Sequence, residues 1–358
     1  MLVVFNHAGL FLALARQNDL GPAFLAPSEA VVRMGAIGVD LFFVISGFVM
    51  ALSARRFVGG ASGAGVFLTH RFIRIAPLFY LGCLLMFAEA VRARLPIDPV
   101  SVLNSLTFIP IFDDASYSWP LHFLGWTLAF EWTFYLLVAL LIAVGRGGQP
   151  VLLLALVMIV PLSGFLLQPQ LMTGRVVTNP ILWEFAFGIF ACCLYDKGWI
   201  ERLRGPLALL AAVSLVIGIH ALRVRPDEVM AIGHDTIMGD ASAARALYWG
   251  VPAFAFFVAF IGFWKGSDGY LARMLKRLGD ASYSIYLSHL FVVMFMGQVL
   301  KFLPFDPDLV VLATLVVSAK VGSAVYRLVE KPMLKFGLES IRGWSGQHVR
   351  PVVDPRPL

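Results

Sequence analysis

The sequence predicts an all-α integral membrane protein, a polytopic helix bundle of ten transmembrane helices. Three observations support this class: 59% of the 358 residues are hydrophobic, only 14% are charged, and the mean hydropathy is +0.82. Because soluble domains carry roughly 25% charged residues, this chain has too few charges to cover a surface in water. Its apolar residues also form blocks about as long as a helix needs to cross a bilayer.

The predicted spans follow one another along most of the chain. They lie at 2–15, 35–52, 72–91, 121–144, 150–168, 180–196, 206–222, 247–264, 281–300 and 307–327. We therefore predict a membrane domain at 1–336 and a polar, proline-rich cytoplasmic tail at 337–358 that is disordered.

The charge distribution predicts the orientation of these spans. With a cytoplasmic N-terminus, the cytoplasmic connections and tail hold 18 of the 28 Lys and Arg residues, and the external connections hold 9. This is the positive-inside bias, so we expect both termini in the cytoplasm and the chain in a bacterial inner membrane. The net charge of +6 then reflects loops against anionic lipid, and we expect membrane lipids and no nucleic acid as partners.

Ionisable residues inside the spans are the first candidates for function, because each costs free energy to insert. His7 in the first span is either a general base that takes a proton from a hydroxyl or a histidine bonded to a neighbouring helix. Asp40 shares a helix face with Phe43 and Gly47, and Gly47 would allow close helix approach. Asp40 is either catalytic or a structural carboxylate that pairs with a neighbouring span.

Two polar stripes mark the fourth and ninth spans. Thr127, Glu131 and Tyr135 repeat every four residues. The stripe is either an interhelical hydrogen-bond seam or part of a site, and for Glu131, near mid-membrane, we favour a functional role. In the ninth span, Ser282, Tyr286 and His289 fall on one face. That face either lines a tunnel for an acyl carrier or holds helices together. Glu184 and Lys320 stand more alone; they are interpreted as structural and could pair with each other.

A basic group lies at the cytoplasmic entry to the third span, where Arg71 and Arg74 follow His70, with Arg55 and Arg56 nearby. Guanidinium groups bind phosphates through paired hydrogen bonds, although ordinary positive-inside anchoring gives the same pattern. The glycine run at 59–65 matches no phosphate-binding loop and is predicted to be a flexible linker. The three cysteines all lie within apolar segments and offer neither a disulfide framework nor metal-ligand spacing.

Taken together, these motifs resemble the membrane-bound acyltransferase family 3, and within it the exopolysaccharide-production acyltransferases. The resemblance covers nearly the whole chain. It is carried by five segments in family order, at 38–48, 71–80, 126–135, 284–289 and 330–332. The segment at 38–48 is the most specific, since it is close to the family's signature for the second span.

The resemblance implies a ten-helix bundle that moves an acyl group, most simply acetyl, from cytoplasmic acyl-coenzyme A to a sugar hydroxyl. The donor and a carbohydrate acceptor, in an exopolysaccharide or other cell-surface glycan, are therefore the expected partners, with no tightly bound cofactor and no metal. It also implies that His7 is the family's essential histidine. The family's partner arginine lies about eleven residues earlier, before Met1, so we expect the natural start to lie upstream.

The mechanism expected from these residues is either direct transfer or transfer through a covalent acyl intermediate, and no nucleophile elbow or Cys–His pair favours the second. The phosphates of the donor would bind Arg71 and Arg74, and Ser284 and His289 would contact the donor within the bundle. His7 would deprotonate the sugar hydroxyl, and Glu131 or Asp40 would orient His7 or bind the sugar. The alternative is a secondary transporter of a polysaccharide or small solute, which buried carboxylates and histidines would also suit, although no internal repeat is visible. A purely structural scaffold accounts less well for so many buried ionisable groups.

Overall fold

The structure is a computed structural model that describes residues 1–15, 34–113, 116–224, 234–239, 241–264, 269–302, 306–346 and 348–349. Within these ranges the regular elements are helices, apart from an isolated bridge between Phe57 and Val349. The prediction of an all-α polytopic membrane bundle is confirmed.

The helices match the predicted spans in order. They are α1 (Leu2–Ala15), α2 (Ile37–Ala54), α3 (Ala61–Arg92), α4 (Pro99–Thr107), α5 (Trp126–Ala143), α6 (Pro150–Leu167), α7 (Met172–Val177), α8 (Trp183–Asp196), α9 (Ile200–Val224), α10 (His234–Met238), α11 (Ser242–Arg245), α12 (Val251–Phe263), α13 (Tyr270–Asp280), α14 (Ser282–Phe302), α15 (Pro307–Val325), α16 (Lys331–Ser340) and α17 (Arg342–Ser345). In the described part of the chain, nine helical segments are long and apolar enough to cross a membrane. The first predicted span is helical, but its 14 residues are fewer than the roughly 20 that a crossing needs.

One compact unit comprises Met1–Val39, Ile219–Pro226 and Gly266–Met333. Its centre is formed by α1, α14 and α15, which pack against one another. Val4 of α1 lies in a buried apolar cluster with Ala281 and Ile285. A Cβ at Gly322 of α15 would lie 2.4 Å from Ile285, so glycine is needed for α14 and α15 to approach this closely.

The second unit comprises Asp40–Gly218, Asp227–Lys265 and Leu334–Leu358. Its core includes Phe43, Phe134 and Phe185, whose side chains are fully buried. The Phe185 ring lies 4.7 Å from that of Phe43 and 4.5 Å from that of Phe134, measured between centroids. These contacts pack α2, α5 and α8 together.

The close helix approach predicted for Gly47 is confirmed between α2 and α8. A Cβ at Gly47 would lie 2.1 Å from the backbone oxygen of Phe185, and one at Gly188 would lie 2.0 Å from that of Val44. Because neither position has room for a side chain, the two backbones contact each other directly.

One local prediction was wrong. Helix α3 begins at Ala61, ahead of the predicted start at 72, so the glycine run is mostly helical rather than a flexible linker. A Cβ at Gly63 would lie 1.7 Å from the backbone oxygen of Val58, which explains the glycine there by close packing. Of the tail predicted to be disordered, the structure describes 337–346 and 348–349, which include the end of α16, all of α17 and a hydrogen bond from the Val58 N–H to the backbone oxygen of His348. The rest of that prediction lies outside the described residues.

Candidate active site

The two histidines singled out by the sequence contact each other in the first unit. Nδ1 of His7 on α1 lies 3.0 Å from Nε2 of His289 on α14, and the two rings stack with centroids 5.1 Å apart. His289 is fully buried and His7 is half-buried. His7 is therefore bonded to a neighbouring helix, one of its two interpretations from the sequence, and its partner His289 was not predicted.

The hydrogen bonds around His289 indicate where each ring holds its proton. Nδ1 of His289 lies 2.6 Å from the backbone oxygen of Tyr286 and 3.2 Å from that of Ile285. Since a carbonyl oxygen can only accept, Nδ1 of His289 holds the proton, and its Nε2 accepts from Nδ1–H of His7. With both rings neutral, Nε2 of His7 then carries no proton, which is the form that a general base requires.

Ser284 lies on the same helix as His289 but contacts a carboxylate. Its hydroxyl donates a hydrogen bond of 2.5 Å to Glu330, and both side chains are buried. Glu330 ends a π-helical turn, Tyr326–Glu330, that follows α15. Such turns are frequent at functional sites. The contact of Ser284 and His289 with an acyl donor stays a prediction.

In the second unit, the basic entry to the third span meets the polar stripe of the fourth. The Tyr135 hydroxyl donates a hydrogen bond to the Glu131 carboxylate, and both residues are buried on α5. The guanidinium of Arg71 lies 5.9 Å from the centroid of the Tyr135 ring, and the charges of Arg71 and Arg74 act on Glu131. Two predicted site elements are therefore one cluster, which we call the arginine–glutamate cluster: Arg71, Arg74, Glu131 and Tyr135.

The arginine–glutamate cluster retains polar groups that the described residues leave unsatisfied. Nε of Arg71 and Oε2 of Glu131 are buried and have no hydrogen-bond partner among those residues. Nη2 of Arg71 donates to the Ser53 hydroxyl at 3.3 Å, which positions the guanidinium, whereas Arg74 is exposed. Buried polar groups of this kind are rare in folded proteins and indicate a place where a polar ligand can bind.

Asp40 lies in a different cluster of the second unit. Arg245 donates from Nε and Nη2 to the two carboxylate oxygens of Asp40, at 2.9 and 3.0 Å, and both side chains are buried. Glu184 on α8 is fully buried and interacts with both of them. One guanidinium balances one carboxylate, so this triad is neutral when the second carboxyl group holds a proton. It joins α2, α8 and α11, as expected of a structural carboxylate.

Arg55 was predicted to belong to the basic group at the cytoplasmic entry to the third span, but it pairs with an acidic residue instead. Its guanidinium donates to both oxygens of Asp196, at 2.9 and 2.5 Å, and to Sγ of Cys192 at 3.1 Å. It therefore ties the end of α2 to α8. Within the predicted basic group, Arg71 and Arg74 are the arginines whose charges act on Glu131.

Sequence reasoning missed Arg245, which stands just before the predicted span at 247–264. The structure begins the helical segment earlier, with α11 and a π-helical turn, Ala246–Gly250, leading into α12. A charge count could have found it, because Asp40 and Glu184 put two carboxyl groups at membrane depth and required a cation. Glu330 was noted only as part of a motif, and its hydrogen bond to Ser284 was not predicted.

Comparisons with known proteins agree with this architecture. A model of the acyltransferase domain family matches residues 1–327. The exopolysaccharide production protein ExoZ of Rhizobium meliloti is 28% identical over 85% of this chain and 91% of its own. Nodulation protein 10 of Rhizobium leguminosarum bv. viciae is 26% identical over 81% of this chain and 79% of its own. No solved structure matches. The chain belongs to the membrane-bound acyltransferase family 3.

Proposed function

We propose that this protein transfers an acyl group, acetyl in the simplest case, from acyl-coenzyme A to a hydroxyl group of a sugar in an exopolysaccharide or another cell-surface glycan. The family supports acyl transfer, and the similarity to the exopolysaccharide production protein supports a glycan acceptor. The bacterial inner membrane, with both termini in the cytoplasm, is the location that the charge distribution favours.

The contact between His7 and His289 is the observation that carries this proposal. Nε2 of His7 takes the proton from the sugar hydroxyl as its oxygen attacks the thioester carbonyl. The new C–O bond forms, the C–S bond breaks, and coenzyme A leaves as a thiolate that His7 reprotonates. His289 acts as a positioning residue: it accepts Nδ1–H of His7 and so keeps Nε2 basic.

The donor end of the reaction is assigned to the arginine–glutamate cluster. Arg71 and Arg74 supply guanidinium groups that match the phosphates of coenzyme A, and Nε of Arg71 still has a hydrogen bond to offer among the described residues. The Tyr135 ring lies beside the Arg71 guanidinium, and the Glu131 carboxylate is near enough for the charges of both arginines to act on it. Asp40 contributes by positioning helices through Arg245 rather than by touching the substrate.

The test uses the purified protein in lipid nanodiscs with acetyl-coenzyme A labelled in the acetyl group. Label should pass to the surface glycan of the producing strain, and His7→Ala should lower the rate about 10²–10⁴-fold, the usual contribution of a general base. His220→Ala is the matched control, because His220 is exposed on α9 and belongs to none of the clusters.

Two outcomes would contradict the proposal. Full label transfer by His7→Ala would show that His7 is not the general base. Movement of a glycan across a proteoliposome membrane without any transfer of label would favour the transporter instead.

A further inference from the structure

A groove in the second unit is lined by residues that the proposed function does not use. It has a volume of about 460 Å³. Its walls are the end of α6, the loop between α6 and α7, α7 itself, Met238 at the end of α10, and Gly239, which follows α10. That volume is in the range of small-ligand sites. We propose that this groove binds a carboxylate-bearing sugar unit of the acceptor glycan. The proposal rests on the proposed function, since it concerns the same acceptor.

The walls of the groove are held by close contacts. A Cβ at Gly164 of α6 would lie 2.7 Å from Oγ1 of Thr178, and a Cβ at Gly174 of α7 would lie 2.6 Å from Pro169. Asn179 donates to the backbone oxygens of Thr236 and Ile237 at 2.7 and 3.2 Å, which fixes α10 beside the groove. A site built in this way is formed before its ligand arrives, so little ordering is needed on binding.

The groove presents a cation in a fixed orientation. Arg175 on α7 donates from Nε to the backbone oxygen of Pro169 at 3.2 Å. The structure records no hydrogen bond or ion pair from its two Nη groups to any described residue. A guanidinium held by Nε, with both Nη groups available, is suited to a carboxylate or phosphate, which it can bind through two parallel hydrogen bonds.

The remaining lining favours a sugar over a bare anion. Gln168 and Gln170 line the groove, and amide groups both donate to and accept from hydroxyls. Nε2 of Gln170 donates to the backbone oxygen of Gln168 at 2.9 Å, which orients its amide. Phe165 is 55% exposed and stacks on Trp183 with centroids 6.2 Å apart, so it offers an aromatic face to sugar C–H groups. A cation, amides and an aromatic ring together match an acidic sugar.

The position of the groove also suits an acceptor. It lies where α6 ends and the 3₁₀ turn Pro180–Leu182 leads into α8. In the proposed orientation this connection is external. A glycan chain would therefore be bound on the outer side, while the phosphates of a coenzyme A donor come from the cytoplasm.

The experiment measures binding to the purified full-length protein in nanodiscs by calorimetric titration. The probes are tri-galacturonate, neutral maltotriose of the same length, and inorganic phosphate. Tri-galacturonate should bind to the wild type, and Arg175→Gln should weaken it about tenfold or more, because a charge-assisted pair of hydrogen bonds is lost. Arg175→Lys retains the charge and controls for a folding defect. Its affinity for tri-galacturonate should lie between those of the wild type and Arg175→Gln.

Arg146→Gln is the matched control, because Arg146 is an exposed arginine on the connection at the opposite end of α6. It should bind tri-galacturonate as the wild type does. Three outcomes would overturn the proposal: the wild type and Arg175→Gln bind tri-galacturonate equally, the wild type binds maltotriose as tightly as tri-galacturonate, or it binds phosphate and neither sugar. The last outcome would indicate a site for lipid phosphate or free phosphate. Label transfer from acetyl-coenzyme A is measured separately, so failure of the proposed function is distinguishable from failure of this site.

Discussion

Replacing Arg245 with methionine should strongly destabilise the protein. Methionine retains much of the length of the side chain but removes the cation that balances Asp40 and Glu184. Asp40 is 0% exposed and Arg245 is 4% exposed, so water cannot substitute for the lost guanidinium. A charged carboxylate would then remain in an apolar interior, or Asp40 would have to take up a proton.

The structure sets the size of this effect. Arg245 makes two hydrogen bonds to Asp40, at 2.9 and 3.0 Å, and hydrogen bonds to charged groups contribute about 1.5–3 kcal/mol each. Removing one partner of a buried ion pair costs about 3–5 kcal/mol, which agrees with that sum. We therefore expect the free energy of unfolding to fall by about 3–5 kcal/mol.

The assay is reversible unfolding in mixed micelles, followed by far-ultraviolet circular dichroism. Arg92→Met is the matched control: Arg92 pairs with Glu89 at 2.5 Å, but the two side chains are 74% and 42% exposed, so no measurable loss is expected. Adding Asp40→Asn to Arg245→Met should recover part of the loss, because the unpaired carboxylate is removed. If Arg245→Met unfolds with the same midpoint as Arg92→Met, the reasoning is refuted.

Three further substitutions test the other clusters. His289→Phe preserves a ring but removes the acceptor for His7, so kcat for label transfer should fall. An unchanged kcat would contradict the positioning role, and a raised KM for acetyl-coenzyme A would support the predicted contact of His289 with the donor. Arg71→Lys retains the charge but loses the planar guanidinium group that can make two parallel hydrogen bonds to a phosphate. KM for acetyl-coenzyme A should therefore rise about tenfold in initial-rate measurements. An unchanged KM would indicate that the phosphates bind elsewhere. Gly47→Ala should lower the free energy of unfolding by about 1–3 kcal/mol, since its methyl would meet the backbone of α8. Gly205→Ala, which would meet no atom within 4 Å, should not lower it, and equal losses for both would contradict the packing argument.

The architecture could be predicted from the sequence because a bilayer imposes simple rules. Apolar runs of fixed length and the bias of Lys and Arg locate the helices with little reference to tertiary structure. Stripes on a single helix could be predicted for the same reason. Thr127, Glu131 and Tyr135 are all buried on α5, and Tyr135 bonds to Glu131 four residues before it.

Contacts between helices far apart in the sequence could not be predicted in this way. Periodicity shows which face of a helix is polar, but not which helix covers that face. His7 and His289 are 282 residues apart, and Asp40 and Arg245 are 205 apart. The start of α3 was misjudged for a related reason, since Gly63 is explained by the backbone that packs against it and not by flexibility.

The contact between α2 and α8 limits how this enzyme can be re-engineered. At Gly47 and Gly188 the two backbones touch, so any larger residue there pushes one helix away from the other. Such a shift would also move Asp40 on α2 relative to Glu184 on α8. A library that seeks altered specificity should therefore leave both glycines fixed, so that the spacing of the scaffold is preserved.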